Sequence, residues 1–282
     1  MSLENPLAYC REKIAGPVSA LHYATLFLPE PTKAFWLGCF ALNHELRQAS
    51  LRQLEAGLTQ VKLGWWRNAL SQAGDNANLH PVIAALSRRT VAALDAEEWA
   101  QLIETTVQGC EARRFNTFND WNAHCQALVQ PWAELLKARM LEEGMLAGNT
   151  DALLAFWSAS GQLAQLLHLA KYLDQQFQPM PVDMLGKHGV DAAQIRRREH
   201  TANTSALFAD VVQHIHRSAD EAWQNMPKTQ RLFCRPLRAL YRMRKAEWHV
   251  HQKDGLRLLT EQKALTPWKK FTLAWTTHVL QW

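Results

Sequence analysis

The stretch PTKAFWLGCFALNHELRQAS, Pro31–Ser50, carries the reading of the whole chain. Its apolar half passes into a polar half without losing phase. Phe35, Leu42, Leu46 and Ala49 keep helix-face spacing, so one helix is predicted straight through, with Pro31 in its first turn. Asn43 and Arg47 stand one turn apart on a neighbouring face, and Glu45 projects elsewhere. A polar pair beside an apolar face either borders a pocket or runs out into solvent. The rest of the chain has to decide between the two.

Composition favours helices everywhere. Of 282 residues 48% are hydrophobic, only 12 are Gly and 11 are Pro, and no segment alternates apolar and polar residues for long. The fold class is therefore all-α. Helices are expected over residues 5–15, 18–28, 32–49, 51–72, 81–93, 96–113, 119–142, 150–176, 203–225, 229–252 and 267–280. LDAEEW (Leu94–Trp99) predicts a helix start, with Asp95 as N-cap and Glu98 closing the box. Breakers fall at Gly74–Leu79, Gly144–Asn149 and Gln178–Val190. None has the length or composition of a flexible linker, so residues 1–282 read as a single domain.

The net charge of +5 permits an anionic partner or membrane surface, but no basic motif points to nucleic acid. Cys10, Cys39, Cys110, Cys125 and Cys234 show no paired spacing, which is the pattern of reduced buried thiols. MSLENPLAYCREK lacks the apolar core of a signal peptide, and no apolar run reaches about 18 residues. The expected setting is cytoplasmic, with room for peripheral contact at the inner membrane.

The order of motifs resembles the squalene/phytoene synthase family. AYCREKIAGPVSALHYATLFLPEPTKAFWLGCFALNHELR is similar to that family's opening: a short helix, a Ser-x-x-x-Tyr helix, the Leu-Pro turn and the first active-site helix. KLGWWRNAL with HPVIAAL resembles its "L-x-x-W-R-x-x-L … P-V-x-x-A-L" pairing. DWNAHCQALVQPWAELL lines up with its Tyr-Cys-rich helix, SGQLAQLLHLAKYLDQQ with its second active-site helix, and PMPVDMLGKHGV with the segment after it. The similarity runs from about residue 6 to residue 275. It implies an isoprenoid synthase-type helical bundle around a central cavity.

Active members of that family join two prenyl diphosphates head to head and need Mg²⁺ bridging carboxylates to diphosphate. The family supplies acids at i and i+4 on each of two facing helices, a spacing that lets two carboxylates share one ion. On this chain the first motif's Arg falls at Asn43 and its two Asp at Leu46 and Ser50. The second motif keeps Gly161, Gln165 and Leu166. It places His168 at the Asn, Lys171 at the Arg, and Tyr172, Gln175 and Gln176 at the acids, with Asp174 alone nearby. None of the 26 Asp and Glu residues has another four positions away. Leucine cannot ligate a hard cation and glutamine offers only a neutral oxygen. No metal or other cofactor is therefore expected.

Two functional readings follow. In the first the chain is a degenerate synthase-like binding or assembly protein. The spelling A-L-N-H-E-L resembles the non-catalytic complex I assembly factor branch of the family through Asn43, Glu45 and Leu46, which implies a protein partner in respiratory complex assembly. In the second it is a divergent prenyltransferase that holds isoprenyl diphosphates, with Mg²⁺ only in that case. Asn43, Glu45, Arg47, Arg67, His168, Lys171 and Tyr172 are the candidates for a cavity that takes an isoprenoid or lipid ligand. The competing assignments are a polar helix end for the first three, solvent for Lys171 and packing for His168.

Other features have simpler accounts. His214 with His216, and His249 with His251, sit at i and i+2, about 200° apart on a helix, so neither pair can chelate one ion. His80 before Pro81 is a helix start. Trp36, Trp65, Trp121, Trp132 and Trp157 fall in apolar patterns and are expected in the core, filling the space prenyl chains would take. Gln130, where the family carries Gly, is expected to narrow the cavity further. Arg235, Arg238, Arg242 and Lys245 form a basic stripe at helical spacing, a candidate membrane or partner surface whose competing assignment is a solvated face. Trp268, Phe271, Trp275, Val279 and Trp282 share one face behind Lys269 and Lys270, which is the pattern either of a membrane- or partner-facing helix or of a last helix closing the bundle.

Overall fold

Prolines and short polar side chains set where the chain enters its helices. Asn5 accepts from the amide of Ala8 at 3.0 Å and starts α1 (Pro6–Ile14); Ser19 accepts from His22 at 3.1 Å and starts α2 (Ala20–Thr25). Each satisfies a backbone N–H that the first turn leaves without a partner. Pro31 lies in the opening turn of α3 (Glu30–Ala49), and His80 caps α5 (Pro81–Ala85) by accepting from Val82 at 3.3 Å. Capping boxes open α7 (Ala96–Gln108) at Asp95, α8 (Phe118–Glu142) at Thr117, α12 (Ala192–Arg196) at Asp191 and α13 (Ala202–Asn225) at Thr201.

The remaining helices are α4 (Ala56–Ser71), α6 (Arg88–Ala92), α9 (Asp151–Leu167), α10 (Leu169–Asp174), α11 (Val182–Lys187), α14 (Lys228–Phe233), α15 (Arg235–Lys253) and α16 (Pro267–Val279). The computed structural model describes residues 5–50, 56–73, 80–111, 113–145, 148–174, 179–253 and 257–279, and among these there is no strand. The breaker at 74–79, the first residues of the helix expected over 51–72, Gln175, Gln176 and Trp282 lie outside the described residues.

Three expected helices are interrupted, each for a local reason. The helix over 150–176 breaks at His168, whose ring Nδ1 lies 2.8 Å from the carbonyl of Ala164 and whose backbone leaves helical geometry. The helix over 229–252 breaks at Cys234, because Pro236 has no N–H to give Leu232 and its ring crowds that carbonyl. The helix over 81–93 breaks at Ser87, which adopts φ +73°. Short helix α11 falls within the breaker expected over Gln178–Val190, and α12 follows in a stretch for which no helix is expected. Pro131 is carried inside α8 without ending it.

Helix α9 is the pivot, packed on α13, α8 and α15, while α3 packs on α1, α5 and α7. One buried apolar cluster runs from Cys10 to Leu259, with Trp36, Trp99, Trp121 and Trp248 almost wholly buried. Burying each indole contributes at least about 2 kcal/mol. Trp65 departs from expectation. It is 49% exposed because Trp66 and Leu70 set the inward face of α4, and Trp65 rests edge-on against Trp66 and His80. The five cysteines are free thiols, four of them buried; burial pushes Cys10 and Cys125 up to about 12 and raises Cys39 and Cys234 as well.

The histidine pairs diverge as helix geometry requires. His214 turns to Asp210, whereas His216 meets the hydroxyl of buried Tyr241 at 2.8 Å. Burial, with Lys245 adding to it, lowers His216 from 6.5 to about 4. Between those values the unfolded chain binds a proton that the folded chain refuses, so stability falls as pH drops through 6.5 and the loss is complete near pH 4. Allowing for partial exposure, His216 accounts for about 2 kcal/mol of this loss. Urea melts at pH 7 and pH 5 should show a smaller difference in His216→Gln than in the parent protein.

Candidate functional site

Asn43, Leu46 and Arg47 occupy i, i+3 and i+4 on α3 and share one side of the helix, with Ser50 capping its C-terminal end. Asn43 and Arg47 enter the wall of a half-open cavity of about 220 Å³ lined by α3, α7, α8, α9 and α10. Tyr172 reaches it from α10, and Gln165 and Gly161 from α9. Leu46 is fully buried on the same side of α3, in the apolar core. The Ser50 hydroxyl donates to the carbonyl of Arg47 at 2.9 Å and lies 3.4 Å from Cys110 Sγ.

Most other polar groups on the wall are already engaged. Thr105 and Thr106 donate to the carbonyls of Gln101 and Leu102, at 2.8 and 2.7 Å, inside their own helix. Ser158 leans on Asn122 of α8 at 3.3 Å. Gln165 takes the indole N–H of Trp121 on its Oε1 at 3.0 Å. Indole nitrogen can only donate, so the oxygen of Gln165 is fixed toward α8 and its NH₂ is the group left for the cavity. Among the described residues no side chain engages the head groups of Asn43 or Arg47. The cavity thus presents amide and guanidinium donors over an apolar floor.

That floor is made of large side chains. Trp132, Trp157, Leu128 and Val129 line it, and Trp157 packs at 6.4 Å from the buried ring of Trp36. Gln130 does not contribute to the narrowing, because it turns outward and is exposed. Among the described residues no carboxylate lines the cavity, and no group of three His, Cys, Asp or Glu is placed to hold a metal. The donor set does not fit Mg²⁺, which requires oxygen ligands and favours anionic ones; the guanidinium of Arg47 would repel it.

The other cavity candidates go elsewhere. Glu45 faces α1, where Lys13 Nζ sits 3.2 Å from its Oε1. Glu45 also adds to the rise in the Cys10 thiol and, with a hydrogen bond and its charge, holds Lys13 above its usual range. Arg67 is exposed on α4, Lys171 is exposed on α10, and His168 spends its ring nitrogen on the helix end. Asp174, the lone acid of the second motif, pairs with Arg198. Gln165 was legible only as a matched motif position; Trp121, the partner that orients it, lies 44 residues away.

The basic residues of α15 are drawn into helix packing. Arg238 pairs with Asp220 at 3.3 Å and covers the rings of Phe156, Trp223 and Tyr241, and Lys245 reaches the same Asp220 at 3.2 Å. Arg242 donates to the hydroxyls of Thr276 and Thr277 at 2.9 and 2.7 Å, which ties α15 to α16. Arg235 is half-buried, and burial lowers its pKa. On α16, Ala274, Thr277 and His278 face the bundle, Phe271 is partly covered, and Trp268 and Trp275 stand in solvent.

Comparison with known proteins places this geometry. The squalene/phytoene synthase family model matches residues 18–268. A comparison with curated proteins finds no significant match. Among solved structures, a dehydrosqualene synthase in complex with ligand superposes with a TM-score of 0.73 at 13% identity, covering 96% of this chain and 95% of that one. Squalene synthase HpnC from Alicyclobacillus acidocaldarius gives 0.64 at 17% identity, over 89% and 94% of the two chains. YisP from Bacillus subtilis subsp. subtilis strain 168 gives 0.63 at 11%, over 95% and 94%. At these identities the three structures establish a shared all-helical fold.

Proposed function

The chain belongs to the squalene/phytoene synthase family, and from that premise we propose that it is a catalytically degenerate member acting as a binding or assembly protein. One observation carries the reading: the cavity between α3 and α9 holds Asn43, Arg47, Gln165 and Tyr172 and, among the described residues, no carboxylate. Head-to-head condensation has to neutralise a departing diphosphate, and in this family two acid pairs holding Mg²⁺ do so. Here the positions of the first pair are a core leucine and a serine bonded to its own helix. Size points the same way. The space walled by the described residues, about 220 Å³, falls below the range of roughly 300–1,000 Å³ usual for small-molecule sites, and a condensation must seat two prenyl chains at once.

The test is direct. Purified protein given farnesyl and geranylgeranyl diphosphate with Mg²⁺ is expected to release no squalene, phytoene or pyrophosphate above background. Robust Mg²⁺-dependent turnover would reject the reading. The assembly role, for which the A-L-N-H-E-L spelling argues, concerns respiratory complex I. Deleting the gene should lower assembled complex I and leave isoprenoids unchanged, and the reverse pattern would remove that role.

A divergent prenyltransferase is the second reading, and the observation that favours it is Arg47 in the cavity wall beside Asn43. A cation there suits an anionic head group without any metal. Binding of a prenyl diphosphate in EDTA, lost in Arg47→Ala, would support ligand capture. Turnover in the first assay decides between capture and chemistry.

A further inference from the structure

Helix α16 closes the bundle with one face and leaves the other bare. Trp268 is 73% exposed, Trp275 47% and Val279 51%. These residues stand at i, i+7 and i+11, within about 40° of one another, and form a line about 16 Å long on the helix. Trp268 is stacked on Phe271 at 5.7 Å, and Phe271 rests edge-on against Phe27. The indole is therefore propped outward by the ring beneath it. Lys270 donates to the carbonyl of Val18 at 2.8 Å, which brings exposed Val18 to the start of α16 and widens the patch.

The two segments that make this patch carry charge of one sign. No Asp or Glu occurs from Lys13 to Pro29, the segment holding α2, or from Gln262 to Trp282, the segment holding α16. Lys269 is exposed and Lys270 half-exposed. His22 of α2 is held below its usual range by burial, then by the nearby charges of Arg11 and Lys33. Glu247, whose carboxyl feels Lys270, is half-buried on α15 and adds little negative charge to the outer surface. Among the described residues no helix is long and apolar enough to cross a membrane.

We propose that the face made by α16 and the turn at Val18 seats the protein on an anionic bilayer surface, with α16 lying parallel to the membrane plane. Tryptophan prefers the head-group level, where its ring is buried and its N–H stays wet. Lipid phosphates give Lys269 and Lys270 the anionic partners that the acid-free segments of the patch do not supply. A second copy of this chain would not satisfy the face: an isologous contact would set the acid-free segments that bear Lys269 and Lys270 against each other.

Vesicle co-sedimentation of the full chain tests this. Binding is expected to vesicles of phosphatidylcholine with about 30 mol % phosphatidylglycerol, and to be at least about fivefold weaker to phosphatidylcholine alone. Trp268→Ala with Trp275→Ala should weaken binding about tenfold at an unchanged melting temperature, since both side chains are exposed. Lys269→Glu should weaken it at least about fivefold, an effect that 0.5 M salt mimics in the parent protein. Trp65→Ala, equally exposed on α4, serves as the control and should bind like the parent. Equal binding to neutral and anionic vesicles, no loss in the double variant, the same loss in Trp65→Ala, or concentration-dependent dimerisation abolished by the double variant would each overturn the proposal.

Discussion

Trp36→Ala should lower the unfolding free energy by about 4 kcal/mol, enough to remove a large share of what holds a domain of this size folded. Trp36 has no exposed surface, and its ring packs on Phe40, Phe233 and Trp157. Its indole N–H donates to the carbonyl of Phe233 at 3.2 Å, a contact spanning 197 residues of sequence. Truncation opens a void among three aromatic rings and removes the partner of a carbonyl at the end of α14, where no helix bond can replace it. Trp36→Phe isolates the second effect and should cost about 1–2 kcal/mol. Urea unfolding followed by circular dichroism measures both, and a loss under 2 kcal/mol for the alanine variant would show that the neighbouring rings collapse into the space.

The second large effect is expected at Arg139. Its guanidinium is nearly buried in α8, where it pairs with Glu142 at 3.0 Å and Glu143 at 2.8 Å and covers the ring of Phe35. Glu142 also accepts from Ser87 at 2.8 Å and from Thr90, which fastens the left-handed turn before α6 to α8. Against the opposing effect of burial, these partners hold the Glu142 carboxyl below its usual range. Arg139→Met keeps the stem but leaves Glu142 charged without its cation, and should cost about 3 kcal/mol. Adding Glu142→Gln removes the stranded charge and should recover about half of that. Strictly additive losses in this cycle would mean that the pair is not coupled.

How far the sequence carried depended on the range of each interaction. α3, α7 and α8 were legible because their period is clean and their first turns are spelled locally, by Pro31, by Asp95 with Glu98 and by the apolar spacing after Thr117. The break at Cys234 was also local, since Pro236 dictates it, yet the apolar period running through it masked the signal. In the site, Asn43 and Arg47 were readable as one helix side. The destination of Glu45 required Lys13, 32 residues earlier, and the orientation of Gln165 required Trp121. The α15 stripe shows the same limit: periodicity shows that Arg238 and Arg242 share a face, but Asp220 of α13 and the threonines of α16 cover it. Trp65 and Trp66, adjacent and identical, can be told apart only by which one the bundle meets.

The buried thiols give the molecule a set of internal clocks. Alkylation needs the thiolate, and burial both withholds the sulfur and disfavours that anion. Cys10 sits on α1, Cys39 on α3, Cys125 on α8 beside the cavity and Cys234 in the break before α15. Each can react only when its own neighbourhood opens, so four labelling rates would map the order in which the bundle breathes. Cys110, half-exposed after α7, supplies the baseline for a thiol that need not wait.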